Sequence, residues 1–286
     1  MISSEAFQQE IDLIIRNAIR EDVGEGDHSS MACIPKHSFG KAHLLVKDKG
    51  VLAGVEFARQ VFRFIDPKLR MDIKLKDGSE VKFGDIAFEV SGSQQSILKG
   101  ERLVLNAMQR MSAIATKTYN FSKLLEGTKT QILDTRKTTP GIRALEKWAV
   151  RIGGGTNHRF GLYDEIMLKD NHIDFADGVT SALDLTVSYL KTNDLSLKII
   201  VEARDLDEVK AILSHGGADR ILIDNFGIQD TKKAVQLIGD QCQTESSGSI
   251  DEVTLKHYAE CGVDFISSGA LTHSVYNMDL SLKAVK

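Results

Sequence analysis

Hydrophobic residues in the first third of the chain alternate between helical and strand-like spacing. Apolar positions recur every three to four residues from Glu5 to Arg20, which predicts an amphipathic helix that ends in an acidic, glycine-containing turn. Short strand-like runs follow, with one helical pattern among them at Val55–Ile65, and together they predict a compact α+β unit. These runs are Ala42–Val46, Met71–Leu75 and Ile86–Val90.

A long helix and then a repeated strand–helix rhythm make up the rest of the chain. The helix is expected from Ser96 to Leu125, long enough to leave one domain and enter the next. Alternating apolar strands and amphipathic helices then indicate a parallel sheet covered by helices. The predicted strands are Thr130–Leu133, Glu165–Leu168, Lys198–Val201, Arg220–Ile223, Gln241–Thr244 and Phe265–Ile266, and the predicted helices are Leu206–Ser214, Ile228–Ile238 and Val253–Cys261. Six strands favour an open or irregular β/α barrel over a complete one, with a doubly wound sheet as the alternative.

A polar group follows each of the six predicted strands. In β/α barrels the carboxyl ends of the strands carry the chemistry, so we expect these groups to surround one site. They are Asp134-Thr135-Arg136-Lys137, Lys169-Asp170-Asn171-His172, Glu202-Ala203-Arg204, Asp224-Asn225, Glu245-Ser246-Ser247-Gly248 and Ser267-Ser268-Gly269.

Composition narrows the class of protein. The 286 residues carry a net charge of −4, which favours neither nucleic acid nor an anionic membrane as a partner. No apolar run reaches the ~18 residues of a membrane span. Three cysteines without ligand-like spacing suggest neither a disulfide framework nor a zinc site, so a reduced cytoplasmic enzyme is expected. The nucleotide-binding loop, dinucleotide, zinc-protease and serine-hydrolase motifs are absent from the sequence.

Positive residues gather in the central part of this acidic chain. If the glycine-rich segment Gly153–Thr156 folds back over the barrel mouth, its N–H groups and the neighbouring cations would form an anion site. The cations are Arg136, Lys137, His158, Arg159 and Lys169. The alternative is that they are ordinary solvated loop residues.

Two acids and two hydroxyl-rich turns complete the candidate site. Glu202 and Asp224 are suited to sugar hydroxyls or to Mg²⁺, unless they merely pair with Arg204 or Lys169. The turns at Ser247-Gly248-Ser249 and Ser268-Gly269-Ala270 are of the kind that binds phosphate through backbone N–H groups. The combination fits a substrate with a phosphate, a diphosphate, a ribose and further carboxylates.

The residues that carry these features resemble the quinolinate phosphoribosyltransferase family. The most specific segment is DTRKTTPGIRALEKWAVRIGGGTNHRFGLYDEIMLKDNHI, from Asp134 to Ile173. Further segments match in order along nearly the whole chain: EDVGEGDHSS, GERLVLNAMQRMSAIAT, VEAR, LIDNF, ESSGSI and SSGALTHS.

The resemblance implies an α/β protein with an N-terminal α/β sandwich and an irregular open β/α barrel. The expected domains are residues 1–112, completed by 274–286, and residues 113–273. It also implies a head-to-tail homodimer with shared active sites, or a higher oligomer built from it. The implied reaction joins quinolinate to phosphoribosyl pyrophosphate with Mg²⁺, giving nicotinate mononucleotide, pyrophosphate and carbon dioxide in NAD biosynthesis.

The resemblance also assigns roles to individual residues. Arg136, His158, Arg159 and Lys169 would hold the two carboxylates of quinolinate, with Arg102 arriving from the neighbouring subunit, and Thr135 would also belong to the substrate-binding residues. Lys137 would reach the diphosphate and, with Glu202 and Asp224, would form the catalytic group; the two acids would contact the ribose hydroxyls or, indirectly, the metal. Both Ser-Gly turns would bind the 5′-phosphate.

The chain departs from the family pattern at two places, and two other functions compete. Ser246-Ser247-Gly248-Ser249 stands where the family usually has Ala-Ser-Gly-Gly, so Ser249 adds a side chain beside the expected phosphate. His28 replaces a more apolar residue and is read as neutral. One rival is a paralogous phosphoribosyltransferase with another acid as acceptor, against which the number of cations argues. The other is a non-catalytic phosphate-metabolite binder, which the acids at Glu202 and Asp224 disfavour.

Overall fold

The computed structural model describes residues 3–285, and these form two compact units. One unit contains residues 3–119, 137–154 and 271–285, and the other contains residues 120–136 and 155–270. Among the described residues, none of the helices combines the length and the apolar character needed to cross a membrane.

The first unit combines an antiparallel sheet with helices. Its helix α3 (Val55–Ile65) has the predicted bounds, and the predicted helices at 5–20 and 96–125 are confirmed with slightly different ends. Six elements were not anticipated: a short helix after the first turn, two paired two-residue strands, a helix at 143–152, a short helix at 270–273 and a C-terminal strand. The full set is α1 (Ser4–Val23), α2 (His28–Cys33), β1 (Phe39–Val46), β2 (Gly50–Val51), α3, β3 (Arg70–Ile73), β4 (Glu80–Val81), β5 (Ile86–Ser93), α4 (Gln94–Leu124), α5 (Arg143–Ile152), α11 (Ala270–His273) and β12 (Leu280–Val285).

The sheet of this unit has the order β12-β1-β5-β3, with antiparallel neighbours throughout. Along β1, every second residue from Ala42 is buried, which is the pattern of a strand with one face on a core. Helix α3 covers that core, since Phe62 meets Phe88 of β5 edge-to-face at 6.2 Å between ring centroids. The C-terminal strand β12 pairs along β1 from Lys41 to Val46.

Two glycines in this unit allow close packing of helices. A Cβ at Gly100 in α4 would lie 2.9 Å from the Ile65 side chain and 3.0 Å from the Phe62 ring, so a larger residue would require these side chains of α3 to shift. At Gly153 a Cβ would lie 2.4 Å from the carbonyl oxygen of Ala115 in α4. The N–H of Gly153 bonds to Ala149, and that of Gly154 bonds to Arg151, so both N–H groups are used in ending α5.

The prediction that the N–H groups of Gly153–Thr156 bind an anion is therefore wrong for Gly153, Gly154 and Thr156, whose N–H groups bond within the protein. The segment before it is a helix, α5, and its first two glycines terminate that helix and pack against α4. The N–H of Thr156 bonds to the carbonyl of Ile132, so it too is occupied within the fold.

The second unit repeats strand and helix, as the sequence predicted. Every predicted strand and helix is present, with ends shifted by up to about three residues. Short helix α6 and helix α7 are additional. The elements are β6 (Gln131–Leu133), β7 (Ile166–Leu168), α6 (Asp170–Phe175), α7 (Val179–Thr192), β8 (Ile199–Ala203), α8 (Leu206–His215), β9 (Arg220–Asp224), α9 (Ile228–Ile238), β10 (Gln243–Ser247), α10 (Leu255–Ala259) and β11 (Phe265–Ser267).

Its six strands are all parallel, in the order β6-β11-β10-β9-β8-β7. From β7 to β11 each strand lies beside the next in sequence, so the sheet winds in one direction, and β6 joins at its far end. A doubly wound sheet would reverse direction, and that alternative is excluded. No ladder joins β6 to β7 in the described residues, and a single parallel bridge, Leu133 to Thr156, lies on the free side of β6. The predicted open, irregular β/α barrel is confirmed.

Two aspartates fasten the amino ends of neighbouring strands. The backbone N–H of Asp219 bonds to the carbonyl of Ile199, and its carboxylate accepts the N–H of Ile199 in return at 2.7 Å. Asp264 does the same with Thr244, whose N–H it accepts at 2.8 Å. Each aspartate thus satisfies an N–H group at the start of the preceding strand, that of the first residue of β8 or of the second residue of β10.

Candidate active site

The strand register places the acids of β8, β9 and β10 on one face of the sheet. Glu202 of β8 pairs with Leu222 of β9, which pairs with Glu245 of β10; Asp224 and Ser247 pair two residues further on. The intervening residues, such as Val201 and Ile223, are buried on the opposite face. One face of the sheet therefore carries the acids and hydroxyls of the candidate site.

The predicted strands ended too early, which changes the place of several residues. Glu202 lies within β8 and Asp224 is the last residue of β9, whereas both were expected just after their strands. Strand β10 runs to Ser247, three residues further than predicted, so Glu245 lies inside the sheet and is fully buried. The mouth of the site thus begins at Asp224 and Ser247.

The end of β6 is tied to the segment that contains His158 and Arg159. Asp134, fully buried directly after β6, accepts the N–H of His158 at 2.8 Å and the side-chain amide of Asn157 at 2.6 Å. Because a buried carboxylate needs such donors, this contact fixes the path of residues 156–158 beside the strand.

Arg159 is held by the loop that follows it. The carboxylate of Asp164 accepts the N–H groups of Phe160 and Gly161, which closes a tight loop before β7. The Arg159 guanidinium donates to the carbonyl of Glu165 at 3.2 Å and is 7% exposed. Because Arg159 is buried and bonds to the main chain, its guanidinium is held in one orientation.

Arg136 and Arg159 lie near each other. Burial first, and then the positive charge of Arg136, lower the pKa of Arg159, although Asp164 and Glu165 act in the opposite direction. An arginine keeps its proton under such conditions, so the two like charges repel unless an anion lies between them. The structure therefore brings together two of the predicted carboxylate-binding residues, Arg136 exposed and Arg159 buried.

Lys169 and Glu202 form an ion pair, with 3.2 Å between Nζ and Oε2. The Glu202 side chain is 8% exposed and also accepts the N–H of Asp170 at 3.4 Å. The alternative pairing with Arg204 is wrong, because Arg204 instead binds Asp174 and Glu208. Ion pairing with Lys169, which the sequence left open, is present.

The ends of β9 and β10 form a strained pair of turns. Asn225 has a φ of 56° and donates its N–H to the carbonyl of Ser247, while its side-chain amide reaches the Asp224 carboxylate at 2.7 Å. A Cβ at Gly248 would lie 2.1 Å from Asn225 Oδ1, so glycine is required there. Ser249 follows with a φ of 48°, an unusual conformation for a residue with a side chain.

The last strand closes onto the first. Directly after β11, the N–H of Ser268 bonds to the carbonyl of Leu133 in β6 and its hydroxyl lies 3.4 Å from the carbonyl of Ile250. Ser268 is buried, and Gly269 and Ala270 are half-buried. The backbone of this second Ser-Gly turn is thus set by β6 and by the turn after β10.

Lys137 and Arg102 belong to the other unit of the chain. The carbonyl of Lys137 accepts the Thr272 hydroxyl at 2.8 Å. Two residues on, Thr139 donates its N–H to Glu146, a fully buried acid that also binds the Arg110 guanidinium at 2.9 Å. This network positions the backbone that carries Lys137, while Arg102 is exposed on α4.

A buried polar cluster beneath the mouth was not anticipated as such. The Glu245 carboxylate lies 3.0 Å from the Arg220 guanidinium and 3.3 Å from His158 Nε2. Burial by itself would raise the pKa of Glu245, but His158 and Arg220 lower it to about 2. Little local signal marked this cluster, because QTESS is polar at every position and RILID has Leu222 between Arg220 and Asp224 on the same face.

The acids fit Mg²⁺ only in a limited sense. Within residues 3–285, no group of three or more histidine, cysteine or acidic side chains forms a metal site. Mg²⁺ often binds through one or two carboxylates and otherwise uses substrate phosphates and water, and Asp224 with Glu202 could supply that share. Because Glu202 already binds Lys169, Asp224 is the better placed of the two.

Comparison with known proteins divides the chain near residue 113, although residues 137–154 and 271–283 belong to the first compact unit. The family model for the N-terminal domain of quinolinate phosphoribosyl transferase matches residues 27–112, and the model for its C-terminal domain matches residues 114–283. The chain is 42% identical to a chloroplastic nicotinate-nucleotide pyrophosphorylase (carboxylating) of Arabidopsis thaliana, covering 94% of this chain and 81% of the relative. It is 37% identical to a probable enzyme of the same name from Bacillus subtilis, covering 94% and 91%.

A solved structure extends this likeness to the fold. The crystal structure of NadC from Streptococcus pyogenes superposes with a TM-score of 0.90 at 36% identity, covering 97% of this chain and 98% of that one. Both family models together span most of the sequence, and they include every residue of the site described above. The chain belongs to the quinolinate phosphoribosyl transferase family.

Proposed function

We propose that this chain transfers the phosphoribosyl group of phosphoribosyl pyrophosphate to quinolinate and releases carbon dioxide and pyrophosphate, giving nicotinate mononucleotide for NAD synthesis. The observation that carries the proposal is the convergence of Arg136 and Arg159 in a member of this family. Two neighbouring guanidinium groups with like charge need an anion, and quinolinate brings two adjacent carboxylates.

Quinolinate is assigned to the cations at the ends of β6 and β7. Arg159 would bind one carboxylate in a bidentate manner, with Arg136 and Lys169 at the other, and His158 is the further predicted contact with quinolinate. Thr135 is a predicted substrate-binding residue beside them. Bidentate binding fixes the plane of the ring and so aims its nitrogen at the sugar carbon. Lys169 would have to leave Glu202 to bind quinolinate, because its Nζ forms an ion pair with Glu202 in this structure.

The ribose and the diphosphate are assigned to the acids and to Lys137. As the ring nitrogen attacks and the bond from the anomeric carbon to pyrophosphate breaks, positive charge develops on the sugar, which the carboxylates of Glu202 and Asp224 would stabilise. Lys137 would stabilise the negative charge on the departing pyrophosphate. When bound, Mg²⁺ would neutralise part of the diphosphate charge, with Asp224 and Glu202 as its protein contacts.

The 5′-phosphate is assigned to the two Ser-Gly turns. Gly248 permits close backbone approach, and Ser247, Ser249 and the Ser268–Ala270 turn supply hydroxyl and N–H donors. These turns follow the last two strands of the barrel, the usual place of a phosphate in this class of fold.

Loss of carbon dioxide follows from the transfer itself. Once the ring nitrogen is bonded to ribose it is cationic, and the bond to the adjacent carboxylate can break with its electron pair left on the ring carbon. A proton from solvent then completes nicotinate mononucleotide. No dedicated general base is needed for these steps, since the cationic ring stabilises the carbanion.

We further propose a homodimer, or a higher oligomer built from it, in which Arg102 of one chain completes the site of its partner, and a cytoplasmic location. The exposure of Arg102 on α4 supports the first proposal. Free thiols at Cys33, Cys242 and Cys261 are compatible with a reducing compartment.

The test is turnover with defined acceptors. Purified protein with Mg²⁺ and phosphoribosyl pyrophosphate should convert quinolinate to nicotinate mononucleotide, with carbon dioxide and pyrophosphate in equal amounts. Arg159→Ala should raise the KM for quinolinate by about 10-fold or more while leaving the KM for phosphoribosyl pyrophosphate close to that of wild type. Equal turnover of nicotinate would favour a paralogous transferase, and binding without turnover would favour a non-catalytic protein.

A further inference from the structure

Asn225 lies between the turns that follow β9 and β10. Its main-chain N–H donates to the carbonyl of Ser247 at 2.9 Å. Its φ of 56° lies in the left-handed region, where asparagine is one of the few residues with a side chain that is tolerated. Asp224, directly before it, ends β9, and Ser247 ends β10. One residue therefore joins the ends of two neighbouring strands.

The side chain of Asn225 has a defined orientation. Its amide nitrogen donates to Oδ2 of Asp224 at 2.7 Å, and because an ionised carboxylate only accepts hydrogen bonds, the amide oxygen belongs on the other side. Gly248 lies on that side, since a Cβ there would be 2.1 Å from Oδ1 and 2.5 Å from Cγ of Asn225. The amide is thus enclosed between the acid at the end of β9 and the glycine after β10.

The backbone on both sides of this pair is anchored, but the Asp224 carboxylate is not. Ile223 is fully buried in β9, and the carbonyl of the buried Phe226 accepts the hydroxyl of Tyr258 at 2.9 Å. Within residues 3–285, the Asp224 carboxylate accepts no second hydrogen bond besides the one from Asn225. The direction of this carboxylate therefore depends on Asn225.

The separation of the acid from the phosphate turn matters because the ligand fixes it. In a ribose 5-phosphate group the hydroxyls and the phosphate are joined by covalent bonds, so a site that contacts both must hold its own groups at a matching distance. Asp224 is assigned to the ribose, and Ser247–Ser249 is assigned to the 5′-phosphate. Asn225 contacts both segments.

We propose that Asn225 is a positioning residue, which holds the Asp224 carboxylate at a fixed place relative to the Ser247–Ser249 turn. It acts on the phosphoribosyl group through Asp224. The inference rests on the proposed function for the phosphoribosyl ligand, but not for the acceptor that receives this group.

Two substitutions separate the side chain of Asn225 from its backbone. Asn225→Gly removes the amide but suits a φ of 56°, and Asn225→Asp keeps the shape but replaces the donor with a second carboxylate. The Kd for phosphoribosyl pyrophosphate with Mg²⁺, measured by calorimetry, should rise about 10-fold in the first variant and further in the second. A Kd in Asn225→Asp equal to that of wild type would mean that only the backbone matters, and the proposal would fail. Asp194→Gly, at an exposed residue with a φ of 52°, is the control and should leave the Kd unchanged.

A double-mutant cycle tests whether Asn225 acts through Asp224. Asp224→Ala removes the group that Asn225 is proposed to orient. Asn225→Gly should therefore raise the Kd about 10-fold in the wild type but less than about 2-fold in the Asp224→Ala background. An equal loss in both backgrounds would show that Asn225 contacts the ligand or shapes the turn independently of Asp224, and would overturn the proposal. Circular dichroism and urea unfolding establish that all four proteins are folded.

Turnover adds a comparison between the two substrates. In Asn225→Gly, kcat/KM for phosphoribosyl pyrophosphate should fall by about 10-fold, while the KM for quinolinate should stay close to that of wild type, because quinolinate is assigned to the ends of β6 and β7. An equal rise of both KM values would indicate a general loosening of the site and would contradict a positioning role. If wild type binds phosphoribosyl pyrophosphate but does not use quinolinate, the proposed function fails, while the binding cycle still decides this inference. Wild type that binds no phosphoribosyl pyrophosphate would overturn both.

Discussion

At the scale of single residues, Ser249 shows how a site tolerates strain. Its φ of 48° lies in the left-handed region, where a side chain costs roughly 1 kcal/mol relative to glycine. The family pattern has glycine there, and the structure supplies the reason: the backbone turns sharply directly after Gly248. A hydroxyl-bearing side chain is thus kept at the expected phosphate in spite of its conformational cost.

Ser249→Gly should relieve this strain. We expect the free energy of unfolding to rise by about 0.5–1 kcal/mol, because the lost strain exceeds the added entropy of the unfolded chain. The KM for phosphoribosyl pyrophosphate should change as well, falling if close backbone approach matters more than the hydroxyl. Urea unfolding and steady-state kinetics measure the two effects.

Asp194 offers the matched control for that substitution. It has a φ of 52° in an exposed turn after α7. Asp194→Gly should therefore stabilise the protein by a similar amount without changing either KM. A loss of stability in Ser249→Gly would mean that the side chain makes a favourable contact that outweighs the strain.

The buried Glu245 predicts a specific dependence of stability on acid. Burial opposes its ionisation, but His158 and Arg220 bring its pKa from an ordinary value of 4.5 down to about 2 in the folded protein. A carboxylate with a depressed pKa contributes stability above its unfolded pKa and loses it as the pH falls toward the folded value. The window is therefore about pH 4.5 to 2, and the contribution is on the order of 3 kcal/mol.

Comparison of wild type with Glu245→Gln tests this window. Glutamine does not titrate, so the stability difference between the two proteins should shrink as the pH falls below about 4.5. Urea unfolding at several pH values between 7 and 3 measures it, with Glu260→Gln expected to follow the wild-type curve. Parallel curves for wild type and Glu245→Gln would show that Glu245 does not carry the predicted shift.

At the scale of elements, the close packing of α5 against α4 depends on the absence of a side chain at Gly153. An added methyl group would meet the Ala115 carbonyl oxygen at 2.4 Å and the Thr118 side chain at 2.8 Å. Backbone atoms of a long helix do not move aside easily, so α4 and α5 would have to separate.

Gly153→Ala should destabilise the protein by about 1–3 kcal/mol, the usual cost of overpacking. Thermal or urea unfolding measures the loss. Gly227→Ala is the control, because a Cβ there meets nothing within 4 Å and the φ of −70° suits any residue. Equal stability of the two variants would show that α5 shifts without cost.

The elements also show what could be predicted from sequence. Strands with apolar runs and helices with a clear periodicity, such as α3 and α9, were located closely because local spacing determines them. Helix α5 was missed because its sequence, RALEKWAVRI, buries Glu146 and Lys147, so its apolar stripe is interrupted by charge. The partner that makes this burial tolerable, Arg110, lies 36 residues away.

Contacts between residues distant in sequence also limited the prediction of the candidate site. Arg136, Arg159, Lys169 and Glu202 were recognised from residue type and position, and the structure brings them together in two pairs. Glu245 was placed in the mouth because the end of β10 was predicted too early, at a point where Thr and Ser give little strand signal. Its true setting depends on Arg220 and His158, contacts that no local pattern encodes.

At the scale of the whole molecule, the sequence places net negative charge around a local positive site. The protein carries −4 overall, yet Arg136 and Lys169 follow the two edge strands of the barrel, β6 and β7, and Arg159 lies in the segment between these strands. Arg220 cancels the charge of Glu245 below them, so the field at the mouth is set by the cations and by Glu202 and Asp224. A substrate with several anionic groups and a polyhydroxyl sugar matches that arrangement of charge.

The proposed dimer predicts that each active site contains residues of two chains. If Arg102 completes the partner's site while Arg136 serves its own chain, Arg102→Ala and Arg136→Ala should each be nearly inactive alone. Mixed in equal amounts with free subunit exchange, they form hybrids with one intact site, so activity should recover to about a quarter of wild type. A chain carrying both substitutions, mixed with either single variant, gives no intact site and is the control. Mass spectrometry of isotope-labelled subunits confirms exchange, and hybrids without activity would show that each chain builds its site alone.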